Sequence, residues 1–178
     1  MLSAHDVARE LRRRLPAAGD LKIYKLAYYC QGWHLAWTGR PMFEEAMEAW
    51  AMGPVVADLW HDEDKGRPRP QARQPDDQAV AVLDYVVTRY GGLSGHDLAR
   101  MTHSEDPWRN ATEIDDAFSV QNPEITHSAM RDWFQQDDEF RSHRQLTARL
   151  GKDCDGLTDP VLPDGLREAT LRALAQPS

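Results

Sequence analysis

Two neighbouring apolar stripes run along the segment from Leu21 to Trp37. The first stripe consists of Ile23, Leu26, Ala27, Cys30 and Trp37, and the second of Leu21, Tyr24, Tyr28 and Leu35. A helix that is apolar around most of its circumference is usually buried on all sides. Because Gly39 and Pro41 interrupt the pattern, we predict that this segment is the central helix of the core.

Capping boxes mark the start of two amphipathic helices. Ser3 with Asp6 opens the first helix, which Pro16 ends, and Ser94 with Asp97 opens a short helix later in the chain. In each box the hydroxyl accepts a backbone N–H three residues on, and the carboxylate accepts the N–H of the capping residue. Both patterns therefore predict helix N-termini at defined positions.

A second core helix is predicted from the spacing of Val80, Leu83, Val87 and Tyr90. We expect Gly91 to end this helix in the left-handed conformation, which glycine adopts without steric cost.

Three further helices are predicted towards the C-terminus. Pro107 fits the first turn of one, and Thr126 is suited to cap another. The third is amphipathic and extends from Pro163 to Leu174. The predicted fold is a mainly α, single-domain bundle of about six to seven helices.

The region after the central helix is harder to assign. The apolar run Ala46–Met52 fits a strand or a short helix. Pro54 is predicted to open a helix that continues to Trp60, because proline is tolerated in a first helical turn. The segment from Asp62 to Gln78 is rich in proline and charge and has no aliphatic residue larger than alanine. We therefore predict an exposed, mobile loop there.

Composition bounds the class of protein. A chain of 178 residues, 41% hydrophobic and 28% charged, suits one soluble globular domain;. The net charge of −8 argues against a nucleic-acid partner, since such a protein normally presents a basic face to phosphates. The basic run Arg12–Arg14 fits a solvated helix face. An acidic protein suits a basic protein partner.

No apolar run is long enough to cross a membrane, and the N-terminus lacks the apolar segment of a signal peptide. The two cysteines, Cys30 and Cys154, do not suggest a disulfide framework. We expect a cytoplasmic protein without a membrane partner.

Patterns typical of catalysis and of metal binding are missing. The sequence has no HExxH, no CxxC, no nucleophile elbow and no phosphate-binding glycine loop;. His61–Asp64 groups metal-ligand types, but consecutive side chains point in different directions. We predict no catalytic residue, no cofactor and no metal site. A metal-dependent hydrolase using His34 or His103 is a minor alternative.

Lys25 lies on an otherwise apolar helix and needs a partner. Glu48 or Glu45 would neutralise the ammonium, or the side chain would carry it to the surface; alternatively, it faces a ligand as a cation. His34 is interpreted as a hydrogen-bonded structural histidine, and His103 as a tie between its turn and the core.

The tryptophans divide into core and rim. Core positions are assigned to Trp33, Trp50, Trp60 and Trp108. Trp37 lies at the end of the central helix close to Arg40, and aromatic residues at a rim are favoured anchors for protein partners. The predicted partner-binding residues are Trp37, Arg40 and, as a further anchor, Trp133.

Three blocks of residues resemble the signature of the Panacea domain, the SocA-like antitoxin domain. The first comprises Lys25, Leu26, Tyr28, Tyr29, Gln31–Leu35, Glu48–Trp50 and Gly53–Val55; the second Tyr90, Gly91, Leu93, Ser94, Leu98, Thr102, His103, Pro107 and Trp108; the third Ile125, Met130, Trp133 and Phe134. The motif residues interpreted as mostly structural are Lys25, Tyr28, Trp33, His34, Trp50, Gly53, Pro54, Thr102, His103, Pro107 and Trp108.

The resemblance has consequences for fold and function. It favours a small β element near residues 42–52, and it assigns residues 1–134 to the domain, with residues 135–178 as an extension that packs on or flanks it. It implies an antitoxin that neutralises its cognate protein toxin by direct binding, not an enzyme. The toxin stays unnamed, because the family acts against many unrelated toxins. The alternative is an adaptor that delivers the toxin to an ATP-dependent protease.

Overall fold

The computed structural model describes residues 1–67, 72–114, 122–137 and 140. Within these residues the helices are α1 (Ala4–Arg14), α2 (Asp20–Thr38), α3 (Ala57–Asp64), α4 (Asp77–Tyr90), α5 (Gly95–Ser104), α6 (Asp106–Ile114) and α7 (His127–Phe134). A two-stranded antiparallel sheet, β1 (Met47–Trp50) and β2 (Gly53–Val56), lies between α2 and α3 in the chain. The predicted mainly α fold with one small β element is confirmed.

Helix α2 occupies the centre of the fold. It is buried from Ile23 to Ala36, as its two apolar stripes predict. α1, α4, α5, α7 and β2 all pack against it. α7 comes very close at Gly32, where a Cβ atom would lie 2.1 Å from Cε2 of Phe134. Any larger residue at position 32 would therefore force the Phe134 ring out of its place on α2.

The predicted N-caps are confirmed. Ser3 Oγ accepts the Asp6 N–H at the start of α1, and Ser94 Oγ accepts the Asp97 N–H at the start of α5. Both boxes are complete, because each aspartate carboxylate also accepts the N–H of its serine. Thr126 caps α7 in the same manner through its hydroxyl.

Gly91 does not adopt the left-handed conformation at the end of α4, so that prediction is wrong; a left-handed glycine cap is found instead at the end of α2, at Gly39. Gly39 has φ 70°, and its N–H donates to the Leu35 carbonyl at the end of α2. Gly91 keeps right-handed angles, φ −64° and ψ −22°, after α4. A glycine after an apolar stripe permits a left-handed cap but does not require one.

The small sheet is extended by further backbone hydrogen bonds on the edge of β1 that does not pair with β2. β1 and β2 pair antiparallel, with Met47 opposite Val56. On the other edge of β1, Ala49 N donates to Pro123 O at 2.8 Å and Ile125 N donates to Met47 O at 2.7 Å. The stretch before α7 is thereby fixed to the hairpin.

Pro54 lies in β2, so the prediction that it opens a helix is wrong. The helix that follows, α3, begins three residues later at Ala57. Proline is tolerated in an edge strand, and within the described residues β2 pairs with β1 alone.

The segment Asp62–Gln78 is helical at both ends, so the predicted loop is shorter than expected; most of the described residues between the two helices are exposed, as predicted. Residues 62–64 complete α3, and residues 77–78 begin α4. Glu63 accepts two hydrogen bonds from Arg12, at 2.7 and 2.9 Å, and one from the Tyr24 hydroxyl at 2.8 Å. Arg73 N donates to a carboxylate on α1 at 3.0 Å. The loop is shorter than predicted because polar residues in a proline-rich segment find partners far away in the chain.

Some predictions lie outside the described residues: the helix from Pro163 to Leu174, residue Cys154, and most of the extension 135–178. In the part of the chain that the structure does describe, no helix is both long and apolar enough to span a membrane.

Candidate functional site

Several residues of the first two motif blocks meet where β2 and α5 pack against the N-terminal half of α2, with α6 beside β1 and α5. Lys25, on α2, is only 1% exposed. Its Nζ donates to the carbonyl oxygen of Pro54 at 2.7 Å. A buried ammonium group thus attaches the central helix to the hairpin.

Gly53 lies beside the hydrogen bond between Lys25 and Pro54, where there is no room for a side chain. Its φ is 90°, and a Cβ atom would lie 2.6 Å from Thr102 Oγ1 and 3.1 Å from Lys25 Cε. Thr102 is itself buried, and its hydroxyl donates to the Ala99 carbonyl at 2.8 Å. The positive φ and the close approach each favour glycine here.

Trp108 joins α6 to the turn of the hairpin. Its indole N–H donates to the Trp50 carbonyl at 3.0 Å, and its ring lies 4.3 Å from that of His103, centroid to centroid. The Trp50 indole N–H donates in turn to the Glu48 carboxylate at 2.7 Å. Pro107, beside Trp108, is buried. Motif residues from three elements therefore contact one another directly.

The predicted carboxylate partners of Lys25 are wrong. Glu45 accepts the Ala4 N–H at 3.0 Å, and Glu48 is bonded to an indole. Among the described residues no carboxylate forms an ion pair with this ammonium. Removal from water disfavours the charged form and lowers the pKa of Lys25 to about 7;. The pKa of His103 is also lowered, mainly by burial and to a smaller extent by the charge of Lys25.

A groove opens beside Lys25, and we call it the Lys25 groove. It has a volume of about 420 Å³. It is lined by Asp20, Leu21, Tyr24 and Lys25 from α2, by Trp50, Met52, Gly53 and Val55 from the hairpin, and by Trp60, Glu63 and Asp64 from α3. Its walls are thus mainly aromatic and apolar, with a cation at the base and carboxylates at the rim.

A second buried ionisable side chain, that of Glu105, lies one turn further along the same face of α2;. The Glu105 carboxylate accepts a hydrogen bond from the Tyr28 hydroxyl and one from the Tyr29 hydroxyl, each at 2.8 Å. The residue is only 7% exposed. Burial raises the pKa of Glu105 to about 7, although both hydroxyls favour the ionised form;.

The third motif block meets the first in an aromatic cluster. Trp33 is buried, and its indole N–H donates to the Tyr90 hydroxyl at 3.1 Å. The ring of Phe134, on α7, lies 5.2 Å from Trp33 and 5.7 Å from Tyr28. Of the tryptophans assigned to the core, only Trp33 is fully buried. Those that are half-buried are Trp50, Trp60 and Trp108.

His34 is hydrogen-bonded at the C-terminal end of α2. Its Nδ1 donates to the Arg40 carbonyl at 2.7 Å, and Thr38 Oγ1 donates to the His34 carbonyl at 2.7 Å. Burial lowers the pKa of His34. A neutral ring with these partners closes the end of the helix.

The three predicted partner-binding residues differ in exposure. Trp37 is half-buried, and its ring packs at 5.2 Å from Trp33 and at 4.8 Å from Tyr85. Arg40 is exposed. Trp133 is half-buried beside a groove of about 480 Å³ between α4 and α7.

Sequence reasoning missed Glu105, Tyr29 and Glu63 as site residues. Adjacent tyrosines on a buried helix need acceptors for their hydroxyls, so the presence of an acceptor could have been foreseen. Its identity could not, because Glu105 lies 76 residues from Tyr29 in the chain.

Within the described ranges, no group of three or more histidine, cysteine or acidic side chains could hold a metal ion. Cys30 is a free, fully buried thiol, and burial raises its pKa.

Residues 23–109 match the family described as antitoxin SocA-like, Panacea domain. The match confirms the resemblance, and it includes the first and second motif blocks. The third block lies beyond it. None of the curated proteins and none of the solved structures matches the chain. The family suggests an antitoxin role and, in general terms, a toxin as partner.

Proposed function

From the match of residues 23–109 to the SocA-like antitoxin family, we propose that this chain neutralises a cognate protein toxin by binding it directly. The observation that carries the proposal, beside the match, is that two of the motif side chains donate to the backbone of other motif residues. Lys25 donates to Pro54 and Trp108 donates to Trp50. Such residues support a scaffold, and recognition then falls to exposed surface.

The proposal assigns no reaction to the chain. The histidine of the first block, His34, is engaged with the Arg40 carbonyl, and the only cysteine in the described ranges is buried. A hydrolase would need a positioned base or metal with access to substrate. Metal analysis of the purified protein tests this point, and a stoichiometric zinc or iron would contradict it.

We propose a partner surface around the C-terminal end of α2 and α7, consisting of Trp37, Arg40 and Trp133. Trp37 packs on Tyr85, whose hydroxyl accepts from Arg89 at 2.5 Å. Arg89 and Trp133 line the same groove. The surface combines half-buried aromatic side chains with a cation, a composition enriched at interfaces.

The direct test is co-expression with the product of the neighbouring gene in a host that this product poisons. We expect restored growth and a complex that elutes as one peak in gel filtration. Arg40→Glu should weaken the complex, whereas the matched control Lys65→Glu, a charge reversal at an exposed site outside the surface, should not. Equal effects of the two variants would contradict the assigned surface.

The same assay, in a strain that lacks its ATP-dependent proteases, distinguishes direct neutralisation from the protease-adaptor mechanism. Direct binding predicts that growth is still restored there. If rescue disappears in that strain while the toxin is still bound, direct neutralisation is wrong and the adaptor mechanism takes its place.

A further inference from the structure

Lys25 Nζ, at the base of the Lys25 groove, has no carboxylate partner among the described residues to balance its charge when it is protonated. Lys25 Nζ has three N–H donors, and one of them is used by the Pro54 carbonyl at 2.7 Å;. Buried charges in proteins are normally paired, because an isolated one has lost its hydration without compensation. The protonated form of Lys25 would therefore be stabilised by an anion that reached the base of the groove.

Two of the three carboxylates at the rim, those of Glu63 and Asp20, are already engaged, and the third, that of Asp64, is exposed to solvent. Glu63 accepts from both terminal nitrogens of Arg12 and from the Tyr24 hydroxyl. Asp20 accepts from Arg12 at 2.9 Å. These groups neutralise Arg12 rather than Lys25. A cationic occupant would place a second positive charge next to Lys25, whereas a carboxylate would supply a negative charge that pairs with the Lys25 ammonium.

The walls of the groove suit an apolar group next to that carboxylate. Trp50 and Trp60 are half-buried, with their rings 5.1 Å apart at an angle of 62°. Met52, in the hairpin turn at the mouth, is 52% exposed. Half-exposed tryptophan and methionine side chains are typical of surfaces that bind protein partners.

We propose that the Lys25 groove binds a carboxylate of the protein partner, carried beside an apolar side chain that packs against Trp50 and Trp60. This inference deepens the proposed function and rests on it. The occupant is a short acidic segment of the toxin, a choice that follows from the unbalanced ammonium and from the exposed Met52 at the entrance. The groove lies about 18 Å along α2 from Trp37, so one partner can cover both sites.

The first experiment uses a matched pair of small probes on the full chain. N-acetyl-4-fluoro-phenylalanine has a carboxylate beside an aromatic ring, and its carboxamide differs only in lacking the charge. Titrations followed by ¹⁹F NMR should show the acid binding about ten-fold more tightly, because a hydrogen bond to a charged partner replaces a neutral one. Equal affinities of acid and amide would overturn the proposal.

Two substitutions locate the binding of the probe. Lys25→Met keeps the length of the apolar stem and should abolish the preference for the acid. Lys65→Met removes one positive charge from an exposed site outside the groove and should preserve it. If Lys65→Met also abolishes the preference, the effect is one of net charge and the assignment is wrong.

A further measurement covers the case in which Lys25→Met does not fold. In wild-type protein labelled with ¹³C-lysine, the Cε signal of Lys25 should move on addition of the acid and stay in place with the amide. Trp60→Ala retains Lys25 and should weaken acid and amide by similar factors. A Cε signal that does not respond to the acid refutes the site without any variant.

The final step links the groove to the partner. For the complex with the neighbouring gene product, Lys25→Met should raise the Kd about ten-fold or more relative to Lys65→Met, and the fluorinated acid should compete. A partner that binds wild type and Lys25→Met equally overturns the inference and leaves the proposed function standing. If the neighbouring gene product binds neither wild type nor Lys25→Met, the proposed function itself is wrong, whatever the probes show.

Discussion

The buried Glu105 carboxylate makes the stability of this protein depend on pH in a predictable direction. Its pKa rises from an ordinary 4.5 to about 7 on folding, so the folded state binds more protons than the unfolded state between these values. The free energy of unfolding must then fall as pH rises through this interval. The contribution is fully present below pH 4.5 and is lost as pH rises through 7. The change in pKa corresponds to about 3 kcal/mol.

Glu105→Gln removes the titration and retains a hydrogen-bonding side chain for the Tyr28 and Tyr29 hydroxyls. Urea denaturation at half-unit pH steps from 4.5 to 8 gives the free energy of unfolding of both proteins. The difference between wild type and variant should decrease by about 3 kcal/mol over that range. Glu44→Gln, at an exposed site, serves as the matched control and should parallel wild type. A Glu105→Gln profile parallel to wild type within about 0.5 kcal/mol would show that Glu105 is ionised throughout.

Three further substitutions test the motif contacts. The pH dependence of stability that Lys25 causes has the opposite sign to that of Glu105, because the pKa of Lys25 falls from 10.5 to about 7 on folding. Wild type should therefore gain stability relative to Lys25→Met as pH rises from 7 to 10. Parallel profiles of the two proteins would contradict this. Gly53→Ala should cost about 1–3 kcal/mol more than Gly39→Ala in thermal melts, because only position 53 also meets Thr102;. Equal losses would show that the close contact relaxes freely. Trp108→Ala should destabilise by about 3 kcal/mol, and an unchanged melting temperature would make Trp108 a binding residue instead of a packing residue.

The parts of the fold that the sequence predicts well are those determined by near neighbours. The burial of α2 follows from its apolar stripes, and the caps at Ser3, Ser94 and Thr126 follow from side chains and N–H groups within a few residues. The small β element was predicted from the family resemblance, since the apolar run around Ala49 fits either structure. Its flanking element was misplaced, because Pro54 suits an edge strand as well as a first helical turn.

The candidate site was predicted less well, because its contacts join distant parts of the chain. The motif includes Lys25, but the hydrogen-bond partner of its ammonium is a backbone carbonyl 29 residues away, which no side-chain pattern reveals. Glu63 looked like part of a polar loop and instead holds Arg12 and Tyr24. Long-range polar contacts of this kind depend on packing that only the folded chain defines.

The contact between Gly32 and Phe134 bears on how the protein is made. α2 emerges early from the ribosome, yet the helix that covers this face follows about a hundred residues later, as the hydrogen bond from Gln135 to Ala36 also shows. At a synthesis rate of about 5–20 residues per second, α7 follows α2 after on the order of 5–20 s. Contacts that are so distant in sequence also close slowly. We therefore expect this apolar face of α2 to remain uncovered on the nascent chain until α7 has been synthesised.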